Sequence, residues 1–269
     1  MEDILNMRQH KLQRLYFPDQ LDLDKNINMS NSNAHYLYIV MRKRAGDNIT
    51  IFNSIDGEYK CEITYIDKKQ VSIKTLEKIS EPKKSLNIQL LYSPLKNVKS
   101  EYIVQKATEL GVSKISPCIF KNTVNTKIKS ERLEIIAVEA TEQCERFDIP
   151  EVEALNDFND IRDTLKDDNK IIIFCDETGQ GAPFYDQAIE IKKKLTESTN
   201  IEIIVIVGPE GGFTNDEIDY IYSLKNSYGV GLGFRILRAD TAIITALSLT
   251  QSYLGDFFEL PDFRSDISE

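Results

Sequence analysis

Hydrophobic and polar positions change their rhythm about a third of the way along the chain. Up to residue 80 the apolar positions fall in short, partly alternating runs. Residues 48–52, 59–66 and 70–76 read as strands, because a period of two puts successive side chains on opposite sheet faces. Asp56-Gly57 lies between the first two runs and marks a hairpin. Residues 1–80 are therefore expected to form a small β-barrel-like domain. Glu81-Pro82-Lys83-Lys84-Ser85 is polar and carries a proline, so 81–85 reads as a linker. From 86 to 269 the pattern alternates in type. Strands are expected at 86–92, 115–120, 171–175 and 201–207, with helices at 99–110, 131–146 and 184–195. Such alternation predicts an α/β domain with a parallel sheet.

Two glycine-rich turns stand out near the end of that domain. Ile203-Ile204-Val205-Ile206-Val207 is a continuous β-branched run, as in a strand buried on both faces. Gly208 breaks it, Pro209 fixes φ, and Gly211 and Gly212 allow left-handed backbone and close approach of a ligand. Glu210 is a carboxylate held between these constrained residues. Thr214 and Glu217 have the spacing of a capping box. The second turn carries Gly229, Gly231 and Gly233, then Ile236, Leu237 and Arg238. Asp240 or Thr241 can cap the helix in which Ala242, Ile243, Ala246, Leu249 and Tyr253 recur. Strand, tight loop and helix start gather backbone N–H groups around a spot that holds a polar ligand. One Gly-Gly turn alone is most simply a strand-to-helix connection; two such units close together point further. The G-x-G-x-G run superficially suggests a dinucleotide loop. Too little chain follows it to build the rest of a nucleotide-binding half-sheet, and no G-x-x-x-x-G-K-[ST] occurs.

Charge complicates any nucleic-acid reading. The 269 residues carry a net charge of −10, and phosphate contacts need cations. The charge is uneven, however. Residues 1–148 hold 23 Lys and Arg against 20 Asp and Glu, whereas 149–269 hold 10 against 23. Arg8, Lys11 and Arg14, then Arg42, Lys43 and Arg44, form two basic clusters near Tyr16, Phe17, Tyr36 and Tyr38. That mixture suits phosphate contacts and base stacking; a solvated basic face beside core aromatics is the plainer alternative for any one of these residues. Four scattered cysteines with no C-x-x-C, and only His10 and His35, argue against a zinc site and for reduced thiols. No stretch has the length of a membrane span and no signal-peptide core is visible.

The pair of turns resembles the C-terminal signature of the SPOUT-class RNA methyltransferases. Within that class it resembles the RsmE family, which methylates N3 of a uracil in 16S ribosomal RNA. Further segments carry the resemblance in the right order. They are Ile103-Val104-Gln105-Lys106-Ala107-Thr108-Glu109-Leu110-Gly111-Val112, then Glu139-Ala140-Thr141-Glu142-Gln143-Cys144-Glu145-Arg146 with Pro150, and, near the N-terminus, His35, Arg42 and Gly46. The resemblance covers nearly the whole chain. It departs at Asp240, where Glu is usual, at Glu145, where a small residue is usual, and at Asn97 and Ser100.

The resemblance implies a PUA-like RNA-binding barrel followed by a SPOUT domain with a C-terminal trefoil knot. It also implies a cytoplasmic homodimer, S-adenosylmethionine as methyl donor, and the small ribosomal subunit as partner, with no metal and no membrane. Gly208, Glu210, Gly211, Gly212, Leu232, Gly233, Ile236, Leu237, Thr241 and Ala242 become the expected cofactor contacts, with a third wall from Asp176-Glu177-Thr178-Gly179. Arg8, Arg14, His35, Arg42 and Arg44 become the expected RNA contacts. Uracil N3 must lose a proton to act as nucleophile, and a guanidinium lowers that cost by pairing with the developing charge. Arg146 and Arg238 are the candidates for that role. Glu142 stands i,i+4 from Arg146 as a possible helical partner, a spacing that equally fits an ordinary surface ion pair. Glu142 and Asp240 remain open as proton acceptors. Ribose 2′-O-methylation by another SPOUT enzyme, and a non-catalytic ribosome assembly factor, are the rival readings.

Overall fold

The structure is a computed structural model that describes residues 12–83, 85–197 and 200–259. The chain divides into two compact units. Among the described residues, the first holds those up to Lys83 together with Glu145–Asp148; the second holds the rest.

The first unit is a mixed five-stranded sheet. Its elements are β1 (Arg14–Tyr16), β2 (Asn26–Met29), α1 (Asn31–His35), a π-helical turn (Tyr36–Val40), β3 (Asn48–Asn53), β4 (Gly57–Ile66) and β5 (Val71–Ser80). The order is β1-β3-β4-β5-β2, with only the β1–β3 pair parallel. Register shifts interrupt the β4–β5 ladder at three places, and such bulges increase local twist and curl a sheet around its core. That core contains Leu15, Ile27, Leu37, Ile49, Ile51, Ile63 and Ile73. The Asp56-Gly57 hairpin is present. Asp56 accepts hydrogen bonds from Leu21 N and Asn53 Nδ2, which hold its carboxyl below the usual carboxylate range.

Arg14 departs from its expected role. It is 4 % exposed. Its Nε donates to Glu58 at 3.0 Å, and its guanidinium lies 3.3 Å from the centroid of Phe52, with Phe147 nearby. Glu58 and the two rings enclose the cation, so Arg14 packs the interior instead of facing RNA. Arg8 lies outside the described residues.

The second unit is built on β6 (Ile88–Tyr92), α2 (Ser100–Glu109), β7 (Lys114–Ile119), α3 (Ser130–Cys144), β8 (Glu151–Val152), β9 (Asn156–Asp157), α4 (Phe158–Ile161), β10 (Lys170–Cys175), β11 (Ala182–Pro183), α5 (Phe184–Glu197), β12 (Glu202–Val207), α6 (Asn215–Ser223), β13 (Ser227–Gly231) and α7 (Ala239–Leu254). All pairings in its sheet are parallel, in the order β11-β13-β10-β12-β6-β7-β8, with β9 also on β7. Alternation along the central strands separates two cores. Ile203, Val205, Val207, Leu90 and Ile173 join one; Ile204, Ile206, Leu91, Ile172 and Phe174 join the other. The β-branched run at 203–207 is thus a strand covered on both faces.

Three local expectations change. The helix expected to reach residue 146 stops at Cys144, because Glu145 has φ +66°; this is where the family's small residue is usual, and left-handed backbone favours one. Gly229 and Gly231 lie inside β13, not in a loop. A Cβ on Gly229 would collide with the Tyr222 ring, so the glycine permits close packing. The N-cap of α7 is Arg238, not Asp240 or Thr241. No helix among the described residues is long and apolar enough to cross a membrane.

Candidate active site

In a parallel sheet, ligand sites form beyond the carboxyl ends of the strands. Here the loops after β10, β12 and β13 meet there around a cavity of about 480 Å³.

The loop after β12 is tightly fixed. Gly212 N donates to Pro209 O at 2.9 Å, and Gly212 has φ +71°. A Cβ at that position would strike the Glu177 carboxylate. Glu210 Oε1 accepts from Lys96 N at 2.8 Å. Asn122 Nδ2 donates to Gly211 O and Gly212 O at 3.1 and 3.0 Å. Downstream, Thr214 and Glu217 form the expected capping box on α6, and Glu217 Oε1 accepts from Lys121 N. Three loops are therefore cross-linked at this end of the sheet.

The loop after β10 is held by one buried carboxylate. Asp176 accepts from Thr178 N at 2.8 Å, Thr178 Oγ1 at 2.7 Å, Gly181 N at 2.8 Å and Tyr222 Oη at 2.7 Å. Burial opposes its ionisation, but the donors from Thr178, Tyr222 and Gly181 outweigh it and keep the carboxyl below the usual carboxylate range. The Tyr222 hydroxyl is pushed up, first by burial and then by its bond to Asp176. Burial also pushes the Cys175 thiol up to about 12. At neutral pH that thiol is an apolar wall, not a nucleophile.

Of the expected cofactor contacts, Gly208, Glu210, Gly212, Leu232, Gly233, Ile236, Leu237 and Ala242 line the cavity. Asp176, Glu177 and Gly179 supply the third wall. Gly211 and Thr241 stand outside the lining: Gly211 faces Asn122, and Thr241 is exposed on α7. Leu95 and Val98, from the loop after β6, also line the cavity and were not anticipated. Their position directly after a strand of the same parallel sheet was the available signal. Phe234 and Ile236, at 90 % and 98 % exposed, leave apolar surface beside the cavity.

Arg238 lines the cavity and pairs loosely with Asp240 at 3.6 Å. Glu142 lies in the last turn of α3. Arg146 falls in the first unit, beyond the helix end, so helical i,i+4 spacing no longer relates it to Glu142. Its guanidinium makes a two-pronged pair with Asp148, at 2.6 and 3.3 Å. His35, Arg42 and Arg44 are exposed around the π-helical turn. Arg42 has φ +55° and Arg44 lies 4.9 Å from the Tyr38 ring centroid.

Comparisons with known proteins cover both units. Residues 82–251 match the model of an RNA methyltransferase domain, and residues 30–76 match that of an RNA methyltransferase PUA domain. A ribosomal RNA small subunit methyltransferase E of Rickettsia conorii is 34 % identical over 88 % of this chain and 94 % of its own length. Its counterpart in Bacillus subtilis is 28 % identical, over 85 % and 91 %. A Legionella pneumophila protein solved with bound S-adenosylmethionine superposes with a TM-score of 0.78 at 28 % identity, covering 92 % of this chain and all of its own. A Neisseria gonorrhoeae ribosomal RNA small subunit methyltransferase E shares the fold, with a TM-score of 0.78 at 24 % identity, over 91 % and 99 %.

Proposed function

Because the chain belongs to the ribosomal RNA small subunit methyltransferase E family, we propose that it methylates N3 of one uridine in 16S ribosomal RNA, using S-adenosylmethionine. The observation that carries this reading is the cavity where the loops after β10, β12 and β13 converge. Its walls fit the cofactor: Leu95, Val98, Leu232, Leu237 and Ala242 offer apolar surface for an adenine, while glycine-rich backbone and Glu177 offer polar groups for a ribose and amino acid. S-adenosylmethionine supplies an electrophilic methyl group on its sulfonium. Everything else is asked of the protein's own residues. N3 must shed its proton as its bond to the methyl carbon forms and the carbon–sulfur bond breaks. Arg238, at the cavity wall, and Arg146 stabilise the negative charge on the uracil, with Glu142 and Asp240 as candidate proton acceptors. Orientation of the two reactants supplies much of the rest, up to about 7–11 kcal/mol of barrier.

The same reading includes the C-terminal knot, a cytoplasmic location at the ribosome, and a homodimer. Exposed Phe234 and Ile236 support the dimer, since apolar surface of that kind beside a ligand site is covered in a working assembly. His35, Arg42 and Arg44 present cations and a stacked tyrosine to RNA.

The test is transfer of labelled methyl groups from S-adenosylmethionine to small ribosomal subunits lacking the modification. Reverse transcription then maps the product, because N3 methylation blocks base pairing. One stop in 16S RNA is expected. Label on a ribose or on tRNA would replace the substrate, and absence of cofactor binding would overturn the enzyme reading.

A further inference from the structure

The acidic balance of the second unit conceals a local reversal. The loop after β6, residues 94–99, carries Lys96 and Lys99; the loop after β7, residues 121–129, carries Lys121, Lys127 and Lys129. Neither segment contains an Asp or Glu. All five lysines are exposed, and none makes an ion pair among the described residues. Elsewhere in the same unit lysines are commonly paired: Lys106 with Glu109, Lys114 with Glu153, Lys193 with Glu190 and Lys225 with Asp168.

The two loops are also fixed to each other and to the cavity. Asn125 Nδ2 donates to Leu95 O at 3.2 Å, and Ser93 Oγ meets Thr123 Oγ1 at 2.9 Å. Asn122 and Lys96 N bind the loop after β12, as described above. Glu210 and Glu217 each have an oxygen occupied by a backbone N–H of these loops, Lys96 and Lys121 respectively, and Glu101 and Glu131 stand in the first turns of α2 and α3. Lys99 is the N-cap of α2 and Lys129 immediately precedes α3, so two helix N-termini add partial positive charge. Val124, 62 % exposed, places one apolar side chain among the cations.

We infer that these five lysines form a phosphate-binding strip that holds the RNA backbone beside the methyl-transfer cavity. Unpaired cations on two hydrogen-bonded loops that themselves contain no Asp or Glu match a polyanion, and a strip that tracks phosphates answers the objection raised by the net charge of −10. The inference rests on the proposed RNA substrate and adds where on the second unit that substrate lies. The strip positions RNA; it takes no part in the chemistry.

The experiment compares wild type with Lys96→Ala/Lys99→Ala and Lys121→Ala/Lys127→Ala/Lys129→Ala. Binding is titrated against salt, on 16S rRNA and on an unrelated RNA of equal length. Lys225→Ala, at the amino end of the sheet, is the control. Each phosphate contact contributes about 0.7 to the log–log salt slope on single strands. The triple variant should therefore lose about 2 from the slope, and the double variant about 1.4. Affinity should fall at least tenfold for the triple variant at low salt, on both RNAs, with S-adenosylmethionine binding unchanged. Unchanged slopes in both variants would overturn the strip, as would a wild-type protein that binds neither RNA. Label transfer is scored separately. Wild type that binds RNA but transfers no methyl group would overturn the proposed activity, while the slopes still decide the strip.

Discussion

Asp176 is the residue through which the cavity's third wall is most exposed to a single change. Four donors converge on its carboxylate: two backbone N–H groups, the Thr178 hydroxyl and the Tyr222 hydroxyl. Asp176→Asn keeps the shape but replaces one acceptor oxygen with a donor. If the amide oxygen serves Thr178, the amide nitrogen faces Gly181 N–H, which cannot turn into an acceptor. If the amide is flipped, it faces Thr178 N–H instead. Either way one backbone donor loses its partner in a site where the residue is 8 % exposed. Hydrogen bonds to a charged acceptor are worth about 1.5–3 kcal/mol, and an unsatisfied buried donor costs about 1–3 kcal/mol. A destabilisation of about 3 kcal/mol is expected, roughly a hundredfold in the unfolding equilibrium. The pH dependence has a definite sign. The folded carboxyl ionises below its unfolded value of about 3.9. Its stabilising contribution is therefore complete above about pH 5 and is lost as pH falls through the folded pKa. Urea denaturation from pH 7 to pH 3 should show a constant gap between variant and wild type down to about pH 5, narrowing below it. Calorimetric titration should show S-adenosylmethionine bound at least tenfold more weakly. Equal stability at pH 7, or a gap that does not narrow in acid, would refute the clamp.

Four further outcomes are expected. Gly212→Val should abolish S-adenosylmethionine binding while far-UV circular dichroism stays native, because its Cβ would enter the Glu177 carboxylate and its φ is left-handed. Arg14→Ala should cost about 3–5 kcal/mol in denaturant titration, since it strips a fully buried Glu58 of its guanidinium. Ile236→Asp should shift the protein toward monomer in sedimentation equilibrium, a charge replacing a side chain that is 98 % exposed and apolar. Arg146→Ala should lower label transfer to 16S RNA by about a hundredfold or more, the scale of losing one transition-state donor, with cofactor affinity unchanged.

Parts of this architecture were legible in the sequence because their causes are local. The strand at 203–207 declares itself by β-branched residues at every position, since both faces are covered. The capping box at Thr214 and Glu217 depends on a three-residue spacing alone. Arg14 was not legible. Its partner Glu58 is distant along the chain, and a basic residue in a basic cluster looks solvated until the sheet brings the carboxylate beside it. β13 was hidden by its two glycines, which weaken a strand signal, although Gly229 is there to let the Tyr222 ring approach. Leu95 and Val98 reach the cavity, and Asn122 reaches the loop after β12, from strands that adjoin only in the sheet. The left-handed residue that ends α3 is a glutamate, not the glycine or asparagine that marks a helix C-terminus in a sequence.

The short excursion at Glu145–Asp148 bears on how the protein is made. Phe147 packs edge-on against Phe52 and lies beside the Arg14 guanidinium, yet it is encoded well after the β strands it completes. During synthesis β1 to β5 leave the ribosome first. Their aromatic cluster around Arg14 stays open on one side while β6, α2, β7 and α3 are still being translated. An N-terminal fragment ending at Lys83 would carry that opening permanently. Among the described residues, the β unit thus takes its final contribution from beyond the middle of the gene, after four elements of the other unit have already been made.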